Sequence, residues 1–325
     1  MDISLQELAE KLKNSGDSGN HDGYRIVYHI RPDGDCIGSA FALALGLQSI
    51  GKKCEVVGQD PVPRIHQYMT DQVAMDSLEN PVWIAVDSAA ERRTGCYQDQ
   101  HFTFCIDHHH NTFQEKTTDY RHVEQDCGAC AEIIFKLLKI MQIPITKQIA
   151  DLLYTAIVTD TLCFRTSDTS AQTFRIAAEL TELGADIYTI GRRNAFIKSA
   201  GRLKIESALR DSFHFTCDHQ ILTGIILLQD LETAGILDSD LGNINSFVEE
   251  IEGVRIGVTI RELTNGRIRC SVHTNGNISA DAICREHGGG GHFHAAGCEL
   301  STDAQTARSI LEETSRKYLL AEIKN

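Results

Sequence analysis

Six side chains able to ligate a hard or borderline metal stand at irregular intervals in the first half of this chain: His29, Asp33, Asp35, Asp87, His108 and Asp160. One of them belongs to the stretch Phe102-Thr103-Phe104-Cys105-Ile106-Asp107-His108-His109-His110. There an apolar run of buried-strand character stops at a carboxylate and three imidazoles. Unpaired charge at the edge of a core is costly, and a metal ion would resolve that cost. Two ions about 3.5–4 Å apart, sharing a carboxylate, can clamp a phosphoryl group for in-line attack. Such a pair draws its O and N ligands from several segments. The mixed imidazole–carboxylate set, with no thiolate among the strand-end ligands, suits Mn²⁺, with Mg²⁺ or Co²⁺ as substitutes. Taken singly, Asp33 or Asp35 reads equally well as a turn residue. Six such residues at the ends of elements do not.

The elements that must position them follow from hydrophobic period and chain breakers. Met1–Gly16 has the pattern of an amphipathic helix, and Ser15–Gly23 is rich in Gly, Ser, Asn and Asp. Tyr24–Ile30 reads as a strand, and Pro32 and Gly34 place His29, Asp33 and Asp35 on a tight non-helical loop at its C-terminal end. An apolar helix pattern through Ile50 follows, then strands over Lys53–Gly58, Pro81–Asp87 and Phe102–Asp107. Strands alternating with helices indicate an α/β fold with a mostly parallel sheet, whose site lies outside the carboxyl ends of the strands. His29, Asp33, Asp35, Asp87, Asp107 and His108 all fall there. Helices are expected over Gly128–Gln142, Thr146–Val158 and Ser170–Leu183, with Asp160 just past the second. Cys127 and Cys130 have metal-like spacing but no second pair nearby, and they open an apolar helix.

Ile190–Asp211 reads as a charged connecting helix. Beyond Phe213 come strands over Ile221–Leu228, Arg255–Glu262 and Arg267–His273, then a helix near Thr306–Ile323, a smaller α+β domain. The expected organisation is a catalytic metal-binding domain at 1–190, a connecting helix at 191–212 and a substrate-binding domain at 213–325. The second domain holds Gly288-Gly289-Gly290-Gly291-His292-Phe293-His294-Ala295-Ala296-Gly297. Its glycines could turn successive amides toward one anion, with His292 stacking on a base or donating to a phosphate.

A net charge of −14 without a Lys/Arg-rich stripe disfavours long duplex nucleic acid as a partner. A short phosphorylated ligand, held locally, is compatible with it. Eleven cysteines scattered through apolar runs fit a reducing compartment, and no run approaches a membrane span, so a cytoplasmic location is expected.

His29-x3-Asp33-x-Asp35 with Gly38-Ser39, then Val86-Asp87-Ser88, Asp107-His108-His109 and Thr159-Asp160-Thr161, resemble in order the four motifs of the DHH phosphoesterase superfamily. The segment 288–297 resembles the signature of the DHH-associated C-terminal domain. With both domains in this order and at this length, the chain is similar to the nano-RNase/pAp-phosphatase branch. The resemblance implies an N-terminal DHH domain, a smaller C-terminal domain and a catalytic cleft between them. It implies one ion on His29, Asp33 and Asp87 and another on Asp35, Asp87, His108 and Asp160, with Asp87 shared. His109 would face the scissile phosphate and Asp107 would orient the neighbouring imidazole. Arg261, His273, Gly289, Gly290, Gly291 and His292 would contact substrate, although the family pattern has arginine where His273 stands. Arg93 falls where relatives often carry arginine.

The implied activity is Mn²⁺-dependent hydrolysis of short 5′-phosphorylated oligonucleotides, such as pApA or pGpG, to nucleoside monophosphates, with pAp as a further substrate. The alternatives are a cyclic di-AMP phosphodiesterase and, from another class, a catalytically silent nucleotide sensor. The intact set of six ligands argues against the sensor. No membrane partner is implied, and a homodimer is compatible with the pattern.

Overall fold

The computed structural model describes residues 1–16, 19–71, 73–88, 91–109, 118–238, 241, 244, 251–291 and 293–323. The chain divides into two compact units, Met1–Ile197 and Lys198–Asn325.

Among the described residues of the first unit, five strands form one sheet in which every pairing is parallel. They are β1 (Tyr24–Val27), β2 (Cys54–Val57), β3 (Val82–Val86), β4 (Phe102–Asp107) and β5 (Thr118–Val123). Buried Ile26, Ile84, Phe104, Val86 and Ile106 run across its middle, with Ile26 opposite Ile84 and Val86 opposite Ile106. The order is β2-β1-β3-β4-β5, so the winding reverses between β1 and β3. At such a switch point the carboxyl ends of two neighbouring strands open a crevice that cannot be filled by either crossover. His29 follows β1 and Asp87 follows β3. The edge strand β5 was not expected, because Thr118-Asp119-Tyr120-Arg121-His122-Val123 is only half-buried and carries no clean apolar alternation.

The helices covering the sheet include α1 (Leu5–Asn14), α2 (Gly34–Ser49), α3 (Cys130–Ile140), α4 (Lys147–Asp160) and α5 (Ala171–Glu182). Ser4 and Glu7 close a capping box at the start of α1. Helix α2 is buried on nearly every side, as a helix without a polar face must be. Full burial of Ile37, Leu43 and Leu47 stabilises by about 2 kcal/mol each. Its approach to α4 is set by glycine. A Cβ on Gly38 would lie 2.6 Å from the Leu152 carbonyl oxygen, and one on Gly34 would lie 2.4 Å from Thr159 Oγ1. These contacts run in opposite senses along the two helices, so the N-terminal end of α2 rests on the C-terminal end of α4.

Three expectations are corrected. Helix α2 begins at Gly34, with Asp33 as its N-cap accepting from the Cys36 amide, so Asp35 lies in the first helical turn rather than on a loop. Pro32 precedes the cap and leaves the helix untouched. Asp160 is the last residue of α4 and does not lie beyond it. Residues 190–211 are not one helix: Ile187–Gly191 runs into a π-helical turn at Arg192–Phe196, and a separate helix, Ala200–Asp211, starts afresh from a Ser199 N-cap.

In the second unit, β6 (His214–Thr216), β7 (Ile221–Ile226), β8 (Ile256–Glu262), β9 (Ile268–Thr274), β10 (Gly290–Gly291) and β11 (Ala295–Leu300) form a mixed sheet ordered β10-β11-β9-β8-β7-β6. Among the described residues of this unit, only β7 and β8 pair in parallel. Helices Ala280–Arg285 and Ala304–Ile323 contribute Ile283 and Leu311 to its core, beside Ile256, Val258 and Val272. Among the described residues, no helix is long and apolar enough to cross a membrane.

Candidate metal centre

The crevice beside β1 and β3 gathers the six ligand candidates from four segments. His29 Nε2 lies 3.4 Å from Asp33 Oδ2 and 3.3 Å from Asp87 Oδ2. His108 Nε2 lies 3.5 Å from Asp87 Oδ1, 3.4 Å from Asp160 Oδ2 and 3.8 Å from Asp35 Oδ2. Asp87 therefore turns one oxygen to each group. It sits just past β3 with a left-handed φ of 56°, a conformation Asp tolerates better than most residues, while its amide still bonds the Ile106 carbonyl on β4. That turn aims its carboxylate across the strand ends instead of along them.

Both imidazoles are oriented from behind. His29 Nδ1 lies 2.8 Å from the Ile30 carbonyl oxygen and His108 Nδ1 lies 3.0 Å from that of Cys127. A carbonyl only accepts, so each ring donates from Nδ1 and turns Nε2 toward the acids. Asp35 is anchored by the Cys130 amide at 2.7 Å, the Ala131 amide at 3.1 Å and Ser39 Oγ at 2.9 Å. The start of α3 thus holds this carboxylate in place.

Asp107 faces the other way. Its Oδ1 accepts from the amides of His108 (2.7 Å) and His109 (3.3 Å) and from His109 Nδ1 (2.6 Å). It fixes His109, whose Nδ1 is also 3.5 Å from Asp87 Oδ1. On its far side His109 meets Arg93, with Nη1 to Nε2 at 2.9 Å. His110 lies outside the described residues.

The electrostatics are those of crowded anions. Burial, then the charges of Asp87 and Asp160, raise the carboxyl of Asp35 well above its usual range. Burial, with Asp33 and Asp87 beside it, pushes Asp160 up to about 7 against the pull of His108. Its side chain is still 34% exposed, so water screens part of that effect. Burial works against protonation of His108, yet Asp87, Asp160 and Asp35 push it up to about 10. In this crevice two buried atoms of described residues, His29 Nε2 and Asp87 Oδ1, have no hydrogen-bond partner. Orphaned buried polar atoms amid excess carboxylate fit divalent cations. The residues His29, Asp33, Cys36 and Asp87, and separately Asp35, His108 and Asp160, bring ligand atoms within 4.8 Å of one another.

Cys36 was not anticipated here. Burial pushes its thiol up to about 12, and Sγ bonds the Asp33 carbonyl oxygen at 3.5 Å, so it stays a protonated neighbour. Its place in the first turn of α2, one residue after Asp35, was the available signal.

The residues expected to contact substrate lie in the second unit. Arg261, near the end of β8, pairs with Asp238 at 2.9 Å. His273 on β9 stands opposite Gly257 and Ala295, and burial lowers its pKa. His292 lies outside the described residues. The picture of an amide nest at the glycines needs correction. Gly288, Gly289 and Gly291 donate their amides to Arg285 O, Cys284 O and Asp281 Oδ1. Close packing explains Gly289 and Gly291 better: a Cβ there would lie 2.2 Å from the Gly297 carbonyl oxygen and 2.6 Å from that of Ala295, respectively.

Comparison with known proteins bears on this arrangement. The DHH family N-terminal domain matches residues 24–157 and the DHHA1 domain matches residues 225–317. A bifunctional oligoribonuclease and PAP phosphatase of Thermus thermophilus is 29% identical over 301 residues, 90% of this chain and 89% of that protein. One of the same description from Mycoplasma genitalium is 28% identical over 289 residues, 86% of this chain and 89% of that protein. The crystal structure of an exopolyphosphatase-related protein from Bacteroides fragilis shares the fold, with a TM-score of 0.85 at 22% identity over 97% of this chain and 96% of that one.

Proposed function

We propose that this chain, which belongs to the DHH family of phosphoesterases and carries a DHHA1 domain, hydrolyses short 5′-phosphorylated oligonucleotides to nucleoside monophosphates, with two Mn²⁺ ions as cofactors. The observation that carries this reading is Asp87, 2% exposed, with its two oxygens turned to two separate imidazole–carboxylate groups. His29, Asp33 and Asp87 would hold one ion; Asp35, Asp87, His108 and Asp160 would hold the other. When bound there, such ions neutralise charge on a phosphoryl group and ease the ionisation of water.

The chain's own part is orientation. The Ile30 and Cys127 carbonyls hold the rings of His29 and His108 with Nε2 turned toward the acids, and the first turn of α3 keeps Asp35 from rotating. Asp107 fixes His109 at the border of the cluster, where the reacting phosphate would lie. The oligoribonuclease activity named for the relatives supports the substrate class, as does the acidic chain, which repels long polyanions. Arg261, His273 and His292 are the groups we assign to the remainder of the substrate. An imidazole in place of an arginine fork grips a terminal phosphate weakly, so pAp should be a poorer substrate than pApA.

The test is a product assay with Mn²⁺ on pApA, pAp and cyclic di-AMP side by side, with EDTA controls. Fast release of AMP from pApA, with cyclic di-AMP slow, is expected. Preference for cyclic di-AMP would replace the linear-substrate reading, and hydrolysis of none of the three would remove it.

A further inference from the structure

We propose that Arg93, rather than His109, is the cationic donor this chain offers to a substrate phosphate, with His109 serving as its seat. The inference takes its ligand from the phosphoesterase reading but its geometry from the structure alone. Arg93 Nη1 lies 2.9 Å from His109 Nε2, and His109 Nδ1 lies 2.6 Å from Asp107 Oδ1. A guanidinium has only donors, and an ionised carboxylate only acceptors. The ring between them therefore accepts at Nε2 and donates at Nδ1. In that state His109 has no proton to present at Nε2, and the donor at the edge of the cluster is the guanidinium.

Two further observations suit Arg93 to the task. Its segment is fastened to the loop that carries His29: the Ile30 amide bonds the Arg93 carbonyl oxygen at 2.6 Å. Gly95, with φ of 64°, packs where a Cβ would lie 2.6 Å from Ile30 Cγ2 and 2.5 Å from Gln59 Oε1. The side chain, by contrast, is tied lightly. Among the described residues no carboxylate forms an ion pair with Arg93, and its side chain bonds a ring nitrogen instead. A phosphate offers two oxygens in the geometry of the guanidinium fork and a charge-assisted bond, so it displaces an imidazole acceptor. On arrival of the anion the Arg93 N–H bond passes from His109 Nε2 to a phosphate oxygen. His109 stays clamped to Asp107, and the Ile30 amide keeps the Arg93 backbone beside the loop that carries His29.

Inorganic phosphate is the probe. Calorimetric titration into the Mg²⁺-loaded protein compares wild type with Arg93→Gln and Arg93→Lys, and ¹⁵N side-chain spectra follow the His109 ring. We expect Arg93→Gln to weaken phosphate binding by about 10- to 100-fold, the range for losing a charged bidentate donor. Arg93→Lys should recover part of it. In wild type, phosphate should shift His109 Nε2, and in Arg93→Gln it should not. With a dinucleotide substrate, the Arg93→Gln loss should appear chiefly in KM. Phosphate affinity within twofold of wild type in Arg93→Gln would reduce Arg93 to a structural brace and overturn the proposal. Wild type that binds phosphate through Arg93 yet cleaves no phosphodiester would leave the proposal standing and remove the hydrolase reading instead.

Discussion

Replacing Asp87 by Asn separates metal binding from folding. The carboxylate is 2% exposed, is shared by both ligand groups, and receives no backbone amide among the described residues. Its removal should therefore cost little in EDTA, and should even relieve Asp35 and Asp160, whose carboxyls its charge helps to raise. The loss should appear only when metal is added. An ion present at 100 times its Kd stabilises the folded state by about 2.7 kcal/mol. For a unit of this size each kcal/mol moves Tm by roughly 2–4 °C, so one ion is expected to add about 5–11 °C and two about twice that. In Asp87→Asn both groups lose a ligand, and less than half of the wild-type rise should survive. Asp160→Asn touches one group and should forfeit about half. The assay is differential scanning fluorimetry in EDTA and in a Mn²⁺ series. A full metal-induced rise in Asp87→Asn, or equal losses in the two variants, would refute a shared carboxylate.

Three other outcomes follow from neighbouring residues. Asp35→Asn sets its NH₂ against one of the amides of Cys130 and Ala131, which donate to different oxygens, so it should destabilise by about 1–3 kcal/mol in EDTA, unlike Asp87→Asn, as measured by urea unfolding. Gly34→Ala drives a Cβ to 2.4 Å from Thr159 Oγ1; overpacking of this kind costs about 1–3 kcal/mol, and displacement of the adjacent Asp160 should lower turnover with it. Glu124 is held down to about 2 by its bond from His122, against burial, with Lys136 assisting. A depressed carboxyl stabilises above its unfolded pKa and loses that contribution as pH falls through 4.5 toward 2, so Glu124→Gln should be less stable at pH 7 by roughly 1–2 kcal/mol after solvent screening, the gap closing below pH 4.5 in urea titrations.

The parallel sheet was legible because Ile26, Ile84 and Ile106 sit in short β-branched runs ending at polar residues, and the same pattern put His29 and Asp87 at strand ends. What the pattern could not carry was contact at a distance. Asp35 is oriented by the Cys130 and Ala131 amides, 95 and 96 residues away, and His108 by the carbonyl of Cys127; backbone donors leave no mark in a sequence. Pro32 and Gly34 were read as breaking a helix, whereas tertiary packing of the apolar stretch beyond them lets it start at Gly34. The glycines at 288–291 suggested a free amide nest, but the amides of Gly288, Gly289 and Gly291 are taken up by partners within the second unit. Strand β5 escaped notice because an edge strand has little apolar alternation to show.

The most direct test of the central claim is turnover of pApA with mass-resolved products, in wild type and Asp87→Asn, with Mn²⁺ and with EDTA. The account expects one pApA and one water to give two AMP in wild type with Mn²⁺, no product in EDTA, and a loss of about a thousandfold or more in Asp87→Asn. Undiminished cleavage in EDTA, or near wild-type rates in Asp87→Asn, would contradict it.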